Sequence, residues 1–363
     1  MDEKILRETF DHNLNESFRL KQLENGLSVF TVIKTTQTNL VTKSMEKPLF
    51  AHIRVTSRCN LKCAYCYAED ETTSTDMTDE SILNVVKMCH IHGILCITWT
   101  GGEPLIRDNF YDVISLAYNY GIKQTILTNG TLLERVHREK WPKDNINFQV
   151  SLNEVWIKFE EAKESIYNAR KLIEWGYDVV LTIMLEPVPI KQYMKLIDFL
   201  IKVGIKTIRF GFKVPAGLGS QDGSITTYEM RIKDQLPELM SLKQNYKNEI
   251  NISYQFEKKS YHETGLPRRF IMCEAGTTEI YIDNNGDVYP CPMLKSLKKL
   301  YCGNIFHNTW EEIWDAPAME LLRKIPDCRD CTYNCGVWCR ALKFFMDGNL
   351  YGKSRYCLKE LNV

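Results

Sequence analysis

Eleven of the chain's thirteen cysteines fall into two groups whose spacing suits metal chemistry. The first is compact: Cys59-Asn-Leu-Lys-Cys63-Ala-Tyr-Cys66. Soft thiolates suit iron-sulfur clusters, and three on one short loop can hold three corners of a cubane, leaving one iron without a protein ligand. The same spacing suits a three-thiolate zinc site completed by a histidine. The second group holds Cys273, Gly286-Asp-Val-Tyr-Pro-Cys291, Cys302, the run Cys328-x2-Cys331-x3-Cys335-x3-Cys339, and Cys357. Eight cysteines in so short a stretch are not a packing accident, yet CxxC pairs fit tetrahedral zinc as well as they fit iron-sulfur clusters. Cys89, on a helical pattern, and Cys96, inside a strand pattern, read as ordinary buried residues.

One further stretch offers chemistry without thiols. Gly101-Gly102-Glu103-Pro104 combines two glycines, which let a bound molecule approach the backbone, with a carboxylate that can meet an ammonium group. Taken alone, such a run is a turn.

The elements that must position these residues begin at Phe50, where apolar strand patterns start to alternate with helical ones. The strands are FAHIRVT, ILCITWT, KQTILT, INFQVSL, DVVLTIML and IKTIRFGFKV, with helices over 79–92, 109–120, 158–175 and 190–203. Six strands, each followed by a helix or a helix-length segment, argue for parallel β/α units with right-handed crossovers, closing part of a barrel. Ligands of such sheets sit at the carboxyl ends of the strands. The first cysteine loop follows the first strand and the Gly-Gly-Glu-Pro run follows the second, so both fall on that edge.

Residues 1–49 form a polar appendage in which Asn25-Gly26 lies between the alternating runs FRLKQL and LSVFTV, a hairpin signal. Residues 50–250 make the barrel. Near 250 the β/α rhythm stops, and 251–363 form a cysteine-rich unit of short strands and turns.

Composition narrows the function. With 44% hydrophobic and 25% charged residues, the 363-residue chain reads as globular. Its 46 basic and 46 acidic residues cancel, which gives no general attraction to nucleic acid or anionic lipid. The charged start MDEKILRETF is no signal peptide, and no run of about 18 uncharged apolar residues occurs. A cytoplasmic location is expected, where clustered thiols are metal ligands more often than disulfides.

CxxxCxxC with Tyr65 before the last cysteine resembles the signature of the radical S-adenosylmethionine (SAM) superfamily, whose open iron chelates the amino and carboxylate groups of SAM. Gly101, Gly102, Glu103 and Pro104 resemble its SAM methionine-binding motif. Thr128-Asn129-Gly130 after strand three and Ser151-Leu152-Asn153 after strand four lie where that family places further SAM contacts. The latter motif often carries an aspartate where this chain has Asn153, so Ser151 and Asn153 read equally as ribose ligands or as turn residues.

The cysteine order of the last third, with Cys302 in a CGNI stretch followed by TWEEIWD, resembles the SPASM domain, which carries two auxiliary four-iron clusters. The resemblance implies a partial (β/α)6 radical SAM barrel joined to a SPASM domain. It assigns Cys273, Cys291 and Cys339 to one auxiliary cluster and Cys328, Cys331, Cys335 and Cys357 to the other. Cys302 is either a fourth ligand of the first, or that cluster keeps an open site. Three residues separate Cys331 from Cys335 where the usual pattern has five, which leaves the ligand sharing open.

By the same resemblance, the chain is an oxidoreductase in which a 5'-deoxyadenosyl radical takes a hydrogen atom from a ribosomally made peptide, ending in a crosslink, thioether or similar product. A flavodoxin or ferredoxin would supply the electron, and a precursor would be read by the barrel edge or by a separate leader-recognition protein. The enzymatic alternative is a porphyrin or other small molecule as substrate. The alternative of another class is a non-enzymatic metal-binding or electron-carrier protein. No general base is legible.

Overall fold

The computed structural model describes residues 4–14, 16–22, 28–34, 45–68, 75–137, 139–152, 154–217, 225–255, 273–323 and 339–351. Asn25-Gly26, Asn153, Cys328, Cys331, Cys335 and Cys357 lie outside the described residues.

Six parallel strands form the expected barrel wall: β4 (Phe50–Arg54), β5 (Cys96–Thr100), β6 (Lys123–Thr128), β7 (Ile146–Leu152), β8 (Asp178–Met184) and β9 (Thr207–Gly211). They pair in chain order, from Ala51 against Ile97 to Thr182 against Arg209. Helices α1 (Asp79–Ile91), α2 (Phe110–Asn119), α3 (Phe159–Glu174), α4 (Ile190–Val203) and α5 (Ile225–Asn245) complete the β/α units, while a single 3-10 turn, Leu133–Arg135, serves between β6 and β7.

Strand alternation decides which side chains meet the helices and which meet the barrel interior. Ile208 and Phe210 of β9 are buried, Phe210 lying edge-on to Tyr193 of α4. Arg209 between them projects to the opposite face, where Glu274 supports its charge.

Both edges of the barrel sheet are extended by strands that the sequence reading did not separate. At one edge β10 (Asn251–Tyr254) pairs parallel with β9, just past the division expected at residue 250. At the other, β11 (Glu279–Ile282) pairs parallel with β4, and β12 (Asp287–Tyr289) and β13 (Gly303–Asn304) follow antiparallel. Among the described residues the cysteine-rich unit therefore shares one ten-stranded sheet with the barrel. Its helices are α6 (Trp310–Trp314), α7 (Pro317–Arg323) and α8 (Arg340–Asp347).

The appendage is a separate antiparallel sheet of β1 (Lys4–Asp11), β2 (Glu16–Gln22) and β3 (Ser28–Lys34); Gln22 faces Ser28 across the expected hairpin. Arg7 of β1 donates to the Tyr120 and His90 carbonyls at 3.0 and 2.6 Å, and the Leu6 carbonyl lies against Gly121. Those residues end α1 and α2, so the small sheet docks at the amino ends of the barrel strands, opposite the edge that carries the cysteine loop.

Candidate active site

The loop after β4 carries Cys59, Cys63 and Cys66, all free thiols. It bends back on itself, with the Cys66 amide donating to the Cys63 carbonyl at 3.2 Å and the Leu61 amide to the Cys59 sulfur at 3.4 Å. Burial pushes the Cys63 thiol up to about 12, and the neighbouring Cys66 and Cys59 thiols push the same way.

The Gly-Gly-Glu-Pro run after β5 is seated directly on this loop. The Gly102 amide donates to the Thr56 carbonyl and the Glu103 amide to the Arg58 carbonyl, each at 2.8 Å. A Cβ on Gly102 would lie 2.2 Å from the Arg58 carbonyl oxygen and 2.8 Å from Cys59 Cβ, so only glycine fits there. At Gly102 it is the cysteine loop that approaches the backbone closely.

Glu103 is 1% exposed. Its carboxylate accepts from the Leu105 amide (3.1 Å), the Thr128 hydroxyl (2.8 Å) and the Asn129 amide (2.7 Å). Burial nevertheless outweighs these donors and pushes its carboxyl up to about 7. Pro104 is buried at the start of the short 3-10 turn Pro104–Ile106 that Glu103 caps. Asn129 donates to Asn60 Oδ1 at 2.9 Å, and Asn60 donates to Thr131 at 2.8 Å, so the loops after β4, β5 and β6 form one hydrogen-bonded unit. Thr128 and Asn129 are thus turned inward to protein partners. Ser151 is half-buried at the end of β7, in register with Thr182 of β8.

Polar groups at the ends of β8 and β9 were missed by sequence reasoning. Lys213 pairs with Glu186 and lies over the rings of Tyr65 (5.5 Å) and Tyr228 (5.3 Å). The loop that follows presses on the cysteine loop, for a Cβ on Gly217 would meet the Cys66 carbonyl oxygen at 2.5 Å. Glu186 and Lys213 each stand two residues beyond the last residue of a strand, and that position was the available signal.

In the cysteine-rich unit the structure gathers Cys273, Cys291 and Cys339. Burial drives the Cys291 thiol well above its ordinary range, and the Cys339 and Cys273 thiols add to the effect. The Cys339 sulfur also accepts from the Leu342 amide at the start of α8. Cys302 is buried under different neighbours: its sulfur donates to the Leu300 carbonyl at 3.4 Å, and the charged group bearing on it is Arg323. Between the two thiol groups stands Tyr67, its hydroxyl 3.1 Å from that of Thr100. Burial pushes its phenol up to about 12, and both Cys66 and Cys291 lie near enough to raise it further.

The sequence pattern of the Radical SAM superfamily matches residues 53–211, and that of the SPASM iron-sulfur cluster-binding domain matches residues 273–335. The chain is a radical SAM enzyme with a SPASM domain. Its relatives include the antilisterial bacteriocin subtilosin biosynthesis protein AlbA of Bacillus subtilis (strain 168), 26% identical over 85% of this chain and 68% of that protein. Another is the AdoMet-dependent heme synthase of Methanosarcina barkeri, 22% identical over 84% of this chain and 94% of the relative. Among solved structures, Streptococcus suis SuiB bound to its precursor peptide SuiA shares the fold, with TM-score 0.64 and 18% identity over 86% of this chain and 76% of that one.

The cofactors of a radical SAM/SPASM enzyme are a [4Fe-4S] cluster that binds SAM and auxiliary clusters. The residues present fit them. The Cys59 and Cys66 thiols both bear on Cys63 from the same short loop, an arrangement in which each sulfur can cap a different iron of a cubane. When bound, the cluster and SAM supply the 5'-deoxyadenosyl radical. The chain's own part is to hold the three loops in one hydrogen-bonded unit through Glu103, Asn129 and Asn60, with Tyr67 set between Cys66 and Cys291. No helix among the described residues is long and apolar enough to cross a membrane.

Proposed function

We propose that the enzyme oxidatively modifies a ribosomally synthesised peptide, forming a crosslink, a thioether or a similar bond. The observation that carries this reading is a radical SAM domain and a SPASM domain joined in one chain that aligns with AlbA over 85% of its length. In this reading Cys59, Cys63 and Cys66 hold the SAM cluster, with Gly101, Gly102, Glu103 and Pro104 shaping the methionine side of the site. Thr128, Asn129, Ser151 and Asn153 belong to its SAM-binding surface. The first two act by bracing it, since their polar groups are already engaged with Glu103 and Asn60.

Cys273, Cys291 and Cys339 hold one auxiliary cluster, and Cys328, Cys331, Cys335 and Cys357 the other. With the Cys302 sulfur bonded to its own loop, the first auxiliary cluster keeps one iron open to the substrate. A flavodoxin or ferredoxin supplies the electron, and the precursor is read by the barrel edge or by a separate leader-recognition protein.

The heme synthase relatives favour a porphyrin as the second reading. Anaerobically reconstituted enzyme, expected to carry about 12 irons if all three sites are cubanes, decides between them. Incubated with SAM, reductant and a peptide encoded beside its gene, it should release 5'-deoxyadenosine and yield a peptide lighter by a pair of hydrogens. Turnover of a porphyrin with none on the peptide would replace the first reading by the second.

A further inference from the structure

The turn between β11 and β12 belongs to the SPASM domain, yet its first two residues reach both ends of the barrel's cysteine loop. Asp283, 4% exposed, accepts from Arg54 Nη1 at 3.2 Å, and the other arm of Arg54 donates to the Ala68 carbonyl at 2.7 Å, two residues beyond Cys66. Asn284, fully buried, donates from Nδ2 to Asp76 at 3.0 Å, and its carbonyl accepts from the Met77 amide at 2.6 Å. Asp76 in turn accepts from the Ser57 amide at 2.8 Å and the Thr56 hydroxyl at 2.5 Å, two and three residues before Cys59. Consecutive residues of one turn therefore fix the chain just before the first of the three cysteines and just after the last.

A buried charge is costly to leave without its partner, so such a pair holds the two segments it joins in one arrangement. Arg54 and Asp283 are both nearly inaccessible, and Lys295, four residues after Cys291, supplies Asp283 with a second cation at 3.2 Å. The turn itself needs none of these contacts: Asp283 and Gly286 close it through backbone bonds, and Asn285 serves it by bonding Asp287 at 2.8 and 3.0 Å without touching the barrel.

We propose that Asp283 and Asn284 are positioning residues for the SAM site: the SPASM domain, besides holding its own clusters, clamps the barrel's cysteine loop in the spread that a cubane and SAM require. Groups that orient ligands from behind weaken metal sites about 10- to 100-fold when removed. The inference rests on the assignment of the SAM cluster to Cys59, Cys63 and Cys66.

The test uses full-length, anaerobically reconstituted enzyme with SAM as the probe. The readouts are the SAM-induced change in the electron paramagnetic resonance spectrum of the reduced cluster, the SAM dissociation constant, and the auxiliary-cluster signals. Asn284→Ala and, from the barrel side, Asp76→Asn should each weaken SAM binding about 10- to 100-fold and leave the auxiliary signals in place. Asn285→Ala, in the same turn, should bind SAM as the parent does.

Parent-like SAM binding in both Asn284→Ala and Asp76→Asn overturns the clamp. So does an equal loss in Asn285→Ala, which would reduce the effect to stability of the turn. If Asn284→Ala fails to fold, Asp76→Asn, which keeps the side-chain shape, decides alone. Cys59→Ala separates the two ideas: a spectral change with SAM that survives it refutes the cluster assignment, whatever the turn variants do.

Discussion

Gly102 is where the loops after β4 and β5 meet, and its hydrogen is the largest side chain the contact admits. Replacing it with alanine drives a methyl group into the Arg58 carbonyl, whereas at Gly101 the same methyl would sit 3.1 Å from Thr56. Overpacking of this kind costs about 1–3 kcal/mol. Gly102→Ala should therefore bind SAM poorly and lose stability in denaturant titration, with Gly101→Ala much less affected; equal behaviour of the two would refute the steric account. At this scale the sequence was most informative where partners are close in the chain. The three cysteines and Gly-Gly-Glu-Pro announce themselves by spacing, but Asn284 reaches Asp76 across 208 residues and Asp283 reaches Arg54 across 229, and no local pattern encodes such pairs. Thr128 and Asn129 were legible as a motif, while their inward bonding to Glu103 and Asn60 needed coordinates.

Elements were legible in proportion to their length and to their end signals. Helix α1 starts at Thr78, whose hydroxyl accepts from the Ser81 amide, and α4 ends at Gly204 in a left-handed conformation, φ 91°. Strands β10 and β11, four residues each, give too few alternations to reveal a period, and β11 is buried at three of its four positions because it lies inside a sheet. The short helix α6 shows what a motif such as TWEEIWD is for. Thr309 and Glu312 form a reciprocal capping box, and the helix they start stacks Trp310 on His92 at 4.5 Å and sends the Trp314 indole NH to the Met45 carbonyl at 3.0 Å. Thr309→Ala should lower unfolding free energy by about 1 kcal/mol in urea melts. An unchanged midpoint would mean that the two tryptophans, not the cap, fix this helix.

At the scale of the molecule, the two ends of the barrel are given different work. The appendage grips the amino ends of β5 and β6 through Arg7, far in the fold from Cys59, Cys63 and Cys66. Arg7→Ala should speed hydrogen exchange in β1 to β3 and leave reductive cleavage of SAM as it was; a fall in cleavage would show that the two ends communicate. The β/α order of the barrel was readable because each unit closes within a few dozen residues. The sharing of one sheet by both domains was not, since β4 and β11 are paired from opposite halves of the chain.

That shared sheet has a mechanical consequence. Among the described residues a backbone ladder running without interruption from β10 to β13 leaves no seam along which two halves could swing apart. An enzyme framed this way does not fold around its cargo as a clamshell does. Whatever room a substrate needs is left to the loops at the strand ends, whose movement breaks no rung of the ladder.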